Sequence, residues 1–243
     1  KHSQLGRKIR AGLVGEAILP MKYSKRLEPL LDNSNFTNMD RLVNNMRMLK
    51  SSDEIVLMDK VCKLADRSIR AAVKRLKEGP VSEVELAATA EFAFRSEGAN
   101  IGSATILASG INTKKPTWRP STKIIGSGEA VLIDVNPMLN CYCADTAITV
   151  FNGEISSITQ KVLDVSREIH RTVIDKMKPG EPASTIYDYF LKETTRYGYR
   201  DEFMLYAKGM RAVGHGVGLD VVEWPNLDKD SKFPLEPGMV LGV

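Results

Sequence analysis

Two stretches of the chain carry apolar residues at helical spacing, each followed by strand-like runs. In the first stretch Ile55, Met58, Val61, Cys62, Ala65, Ile69 and Val73 recur at close to 3.6 residues. Ser52 reads as the N-cap of this helix, with Asp53 and Glu54 in its first turn. Glu78-Gly79-Pro80 stops it. Ser82, with Glu85 three positions on, forms a capping box for a second helix that lines up Leu86, Ala90 and Phe94. A strand-like run over 104–108, a Lys/Thr/Pro-rich loop over 110–122 and a strand over 130–135 follow.

The second stretch repeats the plan. A helix over 156–177 ends at Lys178-Pro179-Gly180, and another over 183–197 ends at Tyr197-Gly198. A strand-like segment, a polar loop at 226–236 and a final apolar run over 238–243, read as a buried strand, complete it. A duplicated helix–break–helix–strand order implies two similar halves packed about a pseudo-two-fold axis, with a cleft between them. Upstream, residues 7–15 read as a strand and turn, 23–32 as a helix and Asp32-Asn33-Ser34-Asn35 as a turn. That segment is too small to close a core alone. Residues 1–46 are therefore expected to be the remnant of an N-terminal α/β domain, and 47–243 the main domain.

Composition changes this picture little. Of 243 residues, 43% are apolar and 26% charged, and the net charge is +4, with basic and acidic residues interleaved along the helices. The pattern fits solvated faces rather than a nucleic-acid surface. No run approaches the roughly 20 apolar residues that span a bilayer, so neither nucleic acid nor membrane is an expected partner. The three cysteines, Cys62, Cys141 and Cys143, are too sparse for a disulfide framework and fit a reducing, cytoplasmic setting.

Three residues stand out chemically. Asp134 ends the apolar run Val-Leu-Ile, and Asp145 follows eleven residues later, beyond Asn136-Pro137, a turn signal that lets the chain fold back. A carboxylate at the end of a buried strand needs a counter-charge, and a pair of them suits a hard or borderline cation. Read alone, the two better suit an N-cap or turn residue and a surface ion pair. His215 lies in Val-Gly-His-Gly-Val-Gly, where glycines let backbone approach closely; by itself it also suits a structural histidine. Aligning Gly128–Ile133 with Gly238–Val243 places the position after Val243 opposite Asp134, where an acidic residue is expected.

The ordered set (Asp134, eleven residues, Asp145, then Gly-His-Gly-Val-Gly, Glu223-Trp224-Pro225 and Pro237-Gly238-Met239-Val240) resembles the prolidase and Xaa-Pro aminopeptidase branch of the creatinase/prolidase family, from about Arg41 to Val243. The resemblance implies an α+β pita-bread fold: a curved antiparallel sheet with helix pairs on one face. It also implies a metallopeptidase that hydrolyses peptide or related amide bonds with two divalent ions (Mn, Co or Zn). Asp134, Asp145 and His215 would be metal ligands, Asp145 and His215 also catalytic, and two glutamates beyond Val243 would complete the set. The expected partners are a small peptide substrate and a second copy in a homodimer. Two departures concern substrate contacts: Val222 and Thr117 occupy positions where the family commonly has histidines. With Trp118 and Trp224 they are the candidate substrate-binding residues. The same fold also accommodates a metal-independent, creatinase-like C–N hydrolase and a non-catalytic binding homologue.

Overall fold

The computed structural model describes residues 11–15, 18–27, 36–115, 117–202 and 212–243. The parts of the predicted elements at 7–10 and 28–35, and most of the strand-like segment after Gly198, lie outside the described residues. The chain divides into two compact units, Lys1–Arg47 and Met48–Val243.

In the first unit β1 (Ala11–Leu13) pairs in parallel with β2 (Phe36–Asn38), with Ala11 opposite Phe36. Helices α1 (Met21–Leu27) and α2 (Asp40–Met48) accompany them, and among the described residues neither helix buries a side chain.

The second unit opens with α3 (Ser52–Leu76) and α4 (Glu83–Arg95). The N-cap of α3 is Ser51 rather than the expected Ser52. Ser51 Oγ accepts from Glu54 N and Glu54 Oε2 accepts from Ser51 N at 2.7 Å, and only Ser51 has the three-residue spacing to Glu54 that this reciprocal bonding needs. Strands β3 (Asn100–Ile101) and β4 (Ile106–Ser109) follow, then a 3-10 turn at Gly110–Lys114 and strand β5 (Ala130–Val135). Next come β6 (Pro137–Leu139), β7 (Tyr142–Cys143) and β8 (Thr146–Phe151). The second half supplies α5 (Ser157–Lys176), α6 (Ala183–Arg196), β9 (Ala212–Gly216), β10 (Glu223–Asp228) and β11 (Leu241–Gly242). All strand pairs of this unit are antiparallel, in the orders β4-β5-β8, β3-β6-β7 and β10-β9-β11.

The duplication is written in hydrogen bonds. Val81 O accepts from Ile125 N and Glu181 O from Leu235 N. Glu83 N donates to Lys123 O as Ala183 N does to Phe233 O, and Val84 N to Ser121 O as Ser184 N does to Ser231 O. Each half thus clamps the start of its second helix against a loop that leads into a strand, β5 in the first half and β11 in the second. Gly79 and Gly180, and Gly128 and Gly238, take positive φ at matching places. The final run forms only a two-residue, half-exposed strand, β11, at a sheet edge beside β9.

The two cores differ in size. Val61, Ala65, Ile69 and Ala72 of α3 pack with Leu86 and Ala90 of α4 against Val131, Ile133 and Val135 of β5. In the second half Ile169, Val173, Ala183 and Ile186 meet Leu227 and Leu235. Each fully buried large apolar side chain contributes roughly 1.5–3 kcal/mol.

Candidate metal centre

Strand alternation fixes where Asp134 points. Val131, Ile133 and Val135 are fully buried toward the helices, so with a period of two Leu132 and Asp134 face the opposite side. Asp134 pairs with Ala147 of β8. Asp145, two residues before Ala147, therefore shares its face as a diagonal neighbour. The reversal that brings β8 back lies not at Asn136-Pro137, as expected, but at Asn140-Cys141. Both residues take positive φ (50° and 70°), the backbone that a two-residue hairpin loop requires. Pro137 instead begins β6.

His215 is aimed by a β-bulge. Asn226 of β10 lies opposite His215 and Asp228 opposite Ala212, so Val213 and Gly214 together face the single residue Leu227. Val213 packs with Leu227 in the core, and the extra residue turns His215 to the other face. A Cβ on Gly214 would lie 2.5 Å from Gly242 O and 2.8 Å from Leu227 Cδ1, and one on Gly216 2.3 Å from Trp224 O. The flanking glycines permit that close approach.

The result is a contact between the two halves. His215 Nε2 lies 3.3 Å from Asp145 Oδ2, with both side chains about a fifth exposed (24% and 21%). His215 Nδ1 is 3.0 Å from Gly216 O; a carbonyl only accepts, so Nδ1 carries the proton and Nε2 is directed at the carboxylate. Asp145, foremost by its hydrogen bond, raises the His215 pKa against the effect of burial, and the Gly216 carbonyl and the Asp134 charge add to it. Burial, then the like charge of Asp145, pushes Asp134 up to about 6, against a hydrogen bond from Asn136 and the opposing influence of His215. Asp134 thus acts on both partners electrostatically. Among the described residues no three His, Cys, Asp or Glu side chains are gathered tightly enough to enclose an ion on their own. Gly242 adjoins the site: a Cβ there would be 3.6 Å from His215 Cε1 and 4.0 Å from Asp145 Oδ2.

The other candidates are placed differently. Trp118 Nε1 donates to Glu83 Oε2 at 3.0 Å, so the indole is committed to that carboxylate. Thr117 is exposed. Val222 and Trp224 are 61% and 50% exposed, around the start of β10.

Sequence reasoning missed Asn136, whose Nδ2 donates to Asp134 Oδ1 at 2.9 Å while its buried Oδ1 has no partner; the Asp-Val-Asn spacing was the available signal. It missed Asn226 opposite His215, which only the strand register reveals. It also missed Glu83, fully buried, which accepts from Ser109 N and Oγ, Asn112, Trp118, and Ser121 N and Oγ.

Residues 56–243 match the model of metallopeptidase family M24. The chain belongs to metallopeptidase family M24. The matched span contains Asp134, Asp145 and His215, and the family is one of divalent-metal enzymes. Over 229 residues the chain is 29% identical to an Xaa-Pro dipeptidase of Pyrococcus horikoshii, covering 94% of this chain and 63% of that protein. Over 209 residues it is 30% identical to the Xaa-Pro dipeptidase of Pyrococcus furiosus, covering 86% and 58%. The chain thus spans about 60% of the length of these M24 relatives. The structure superposes on the Pyrococcus furiosus prolidase with a TM-score of 0.84 at 28% identity, over 95% of this chain and 66% of that one. The M24 chain therefore has the α+β pita-bread fold of the prolidases.

Proposed function

We propose that this protein is a dinuclear-metal hydrolase of the Xaa-Pro dipeptidase type, acting on small peptides with an Xaa-Pro-like bond, and that residues 47–243 belong to its catalytic domain. The observation that carries this reading is the approach of Asp145 and His215, drawn from the two halves, beside the charge-coupled Asp134. The donor set fits divalent cations. Two carboxylates and an imidazole suit Mn, Co or Zn, and the His215 ring donates its second nitrogen to a backbone carbonyl, as metal-binding histidines do. The raised pKa of Asp134 marks a half-buried negative charge that a cation would compensate.

Asp134, Asp145 and His215 would hold the ions. Bound divalent cations supply polarisation of the scissile carbonyl and activation of water. Asn136 holds the Asp134 carboxylate in orientation, and Gly216 O fixes the His215 tautomer. The Xaa-Pro dipeptidase names of the Pyrococcus relatives support the substrate class.

The test is an assay of the intact protein against a panel of Xaa-Pro dipeptides with Mn²⁺ or Co²⁺. Cleavage that is lost on chelation, restored by metal and reduced at least 10²-fold in Asp145→Asn is expected, the size of effect seen when one transition-state contact is removed. Cleavage indifferent to chelation would overturn the reading in favour of a creatinase-like mechanism, and metal binding without cleavage in favour of a non-catalytic homologue.

A further inference from the structure

Lys50 and Glu223 form a buried ion pair, 2.5 Å from Nζ to Oε1, with side chains only 2% and 6% exposed. Both charges have left water, and apolar replacements of buried pairs are often neutral or stabilising. Net stability is therefore a weak reason for such a pair, and its position in the fold supplies a stronger one.

Lys50 immediately precedes Ser51, the cap of α3 in the first half, and its N–H donates to Gly238 O of the second half at 2.9 Å. Glu223 opens β10 and pairs with Gly216, the neighbour of His215. The pair is seated over Gly218, where a Cβ would fall 2.3 Å from Glu223 Oε1 and 2.9 Å from Lys50 Cε. Gly218 O in turn accepts from Cys143 N at 2.7 Å, and Asp145 follows two residues later. On the other side, Tyr142 Oη donates to Glu54 at 2.6 Å, and Glu54 belongs to the same α3 cap. The ion pair thus abuts a peptide that hydrogen-bonds the Asp145 segment to the His215 segment, and it ties that point to the start of a capped 25-residue helix.

We propose that Lys50 and Glu223 are positioning residues for the metal centre: a clamp between the halves that sets the approach of Asp145 to His215. The inference rests on the metal-centre reading above, and it assigns a role to a charge pair that is not among the proposed ligands.

The experiment compares the intact wild type with Lys50→Met/Glu223→Leu by thermal melting and by calorimetric titration with Mn²⁺. Removing both charges strands neither member of the pair, so the double variant should melt close to the wild type. Its Mn²⁺ affinity should nonetheless fall roughly 10–100-fold, the range typical of residues that orient metal ligands. Unchanged affinity would overturn the proposal and leave the pair a packing feature. If the double variant does not fold, Glu223→Gln, which keeps the side-chain shape but strands the Lys50 ammonium and so lowers the melting temperature by itself, is read by its Mn²⁺ affinity alone. If the wild type itself binds no Mn²⁺, the metal reading fails separately. The clamp is then decided by the crystal structure of the variant: an Asp145–His215 separation still near 3.3 Å refutes it, and a widened one upholds it.

Discussion

Glu83 shows how much one side chain can organise. Burial alone would push its pKa up, yet the hydrogen bonds from Ser121, Asn112, Trp118 and Ser109 outweigh that and hold it at about 2, below its ordinary 4.5. The second half provides an internal control. Ala183 occupies the corresponding place with its backbone bond intact, so the shared scaffold does not need the carboxylate. What the first half adds is the loop after Ser109, and Glu83 ties its two ends and Trp118 together. Lys123 extends the network, bonding Ser109 Oγ at 2.9 Å and the Glu129 carboxylate. Because the folded pKa is depressed, the stabilisation is fully present above about pH 4.5 and is lost as pH falls toward about 2. A shift of this size is worth about 3 kcal/mol. Urea unfolding should therefore find Glu83→Gln about 3 kcal/mol less stable than wild type at pH 7, with the gap narrowing between pH 5 and pH 3. A gap constant across that range would contradict this account of Glu83. The sequence hid it because its donors lie 26–38 residues away and the neighbouring Glu85 carries the local capping signal.

Among the elements, the four long helices α3 to α6 were legible, and helix α2 and the irregular strands were not. Ser82 with Glu85, the apolar stripe of α3 and the Gly-Pro breaks are local signals, and each produced the expected helix within a residue or two. Strand β5 was also expected, but its Val-Leu-Ile run does not alternate, and only the burial of Val131, Ile133 and Val135 shows that Asp134 faces away from the helices. The Asn140-Cys141 turn went unread because neither residue is a glycine. The β9 bulge went unread because it exists only as a register against β10. That bulge aims His215, which makes Gly214 a structural requirement of the site. In Gly214→Ala the added methyl group meets the Gly242 carbonyl at 2.5 Å and Leu227 at 2.8 Å, one of them backbone. The expected cost is about 1–3 kcal/mol, visible as a lowered melting temperature, together with displacement of the His215 ring. An unchanged melting temperature would show that β9 does not need its close approach to β11.

For the whole molecule, the duplication is what makes a site. Each half repeats the same helix pair and the same three backbone clamps, and neither alone brings carboxylate and imidazole together. The first half contributes Asp134 and Asp145 from β5 and the edge of β8. The second contributes His215 from β9, with Gly242 of β11 alongside. The repeat was legible from its Gly/Pro breaks and matching apolar runs, and the candidate ligands only through the family resemblance that their ordered motifs carry. The approach of Asp145 to His215, 70 residues apart in sequence, depended on contacts such as Cys143 N to Gly218 O, which no local pattern encodes. The central claim is that these three side chains share a cation. Anomalous diffraction from crystals of the intact protein grown with Mn²⁺ tests it most directly. Manganese density bounded by Asp134, Asp145 and His215 is the predicted result; manganese bound only elsewhere, with His215 turned from both aspartates, would contradict it.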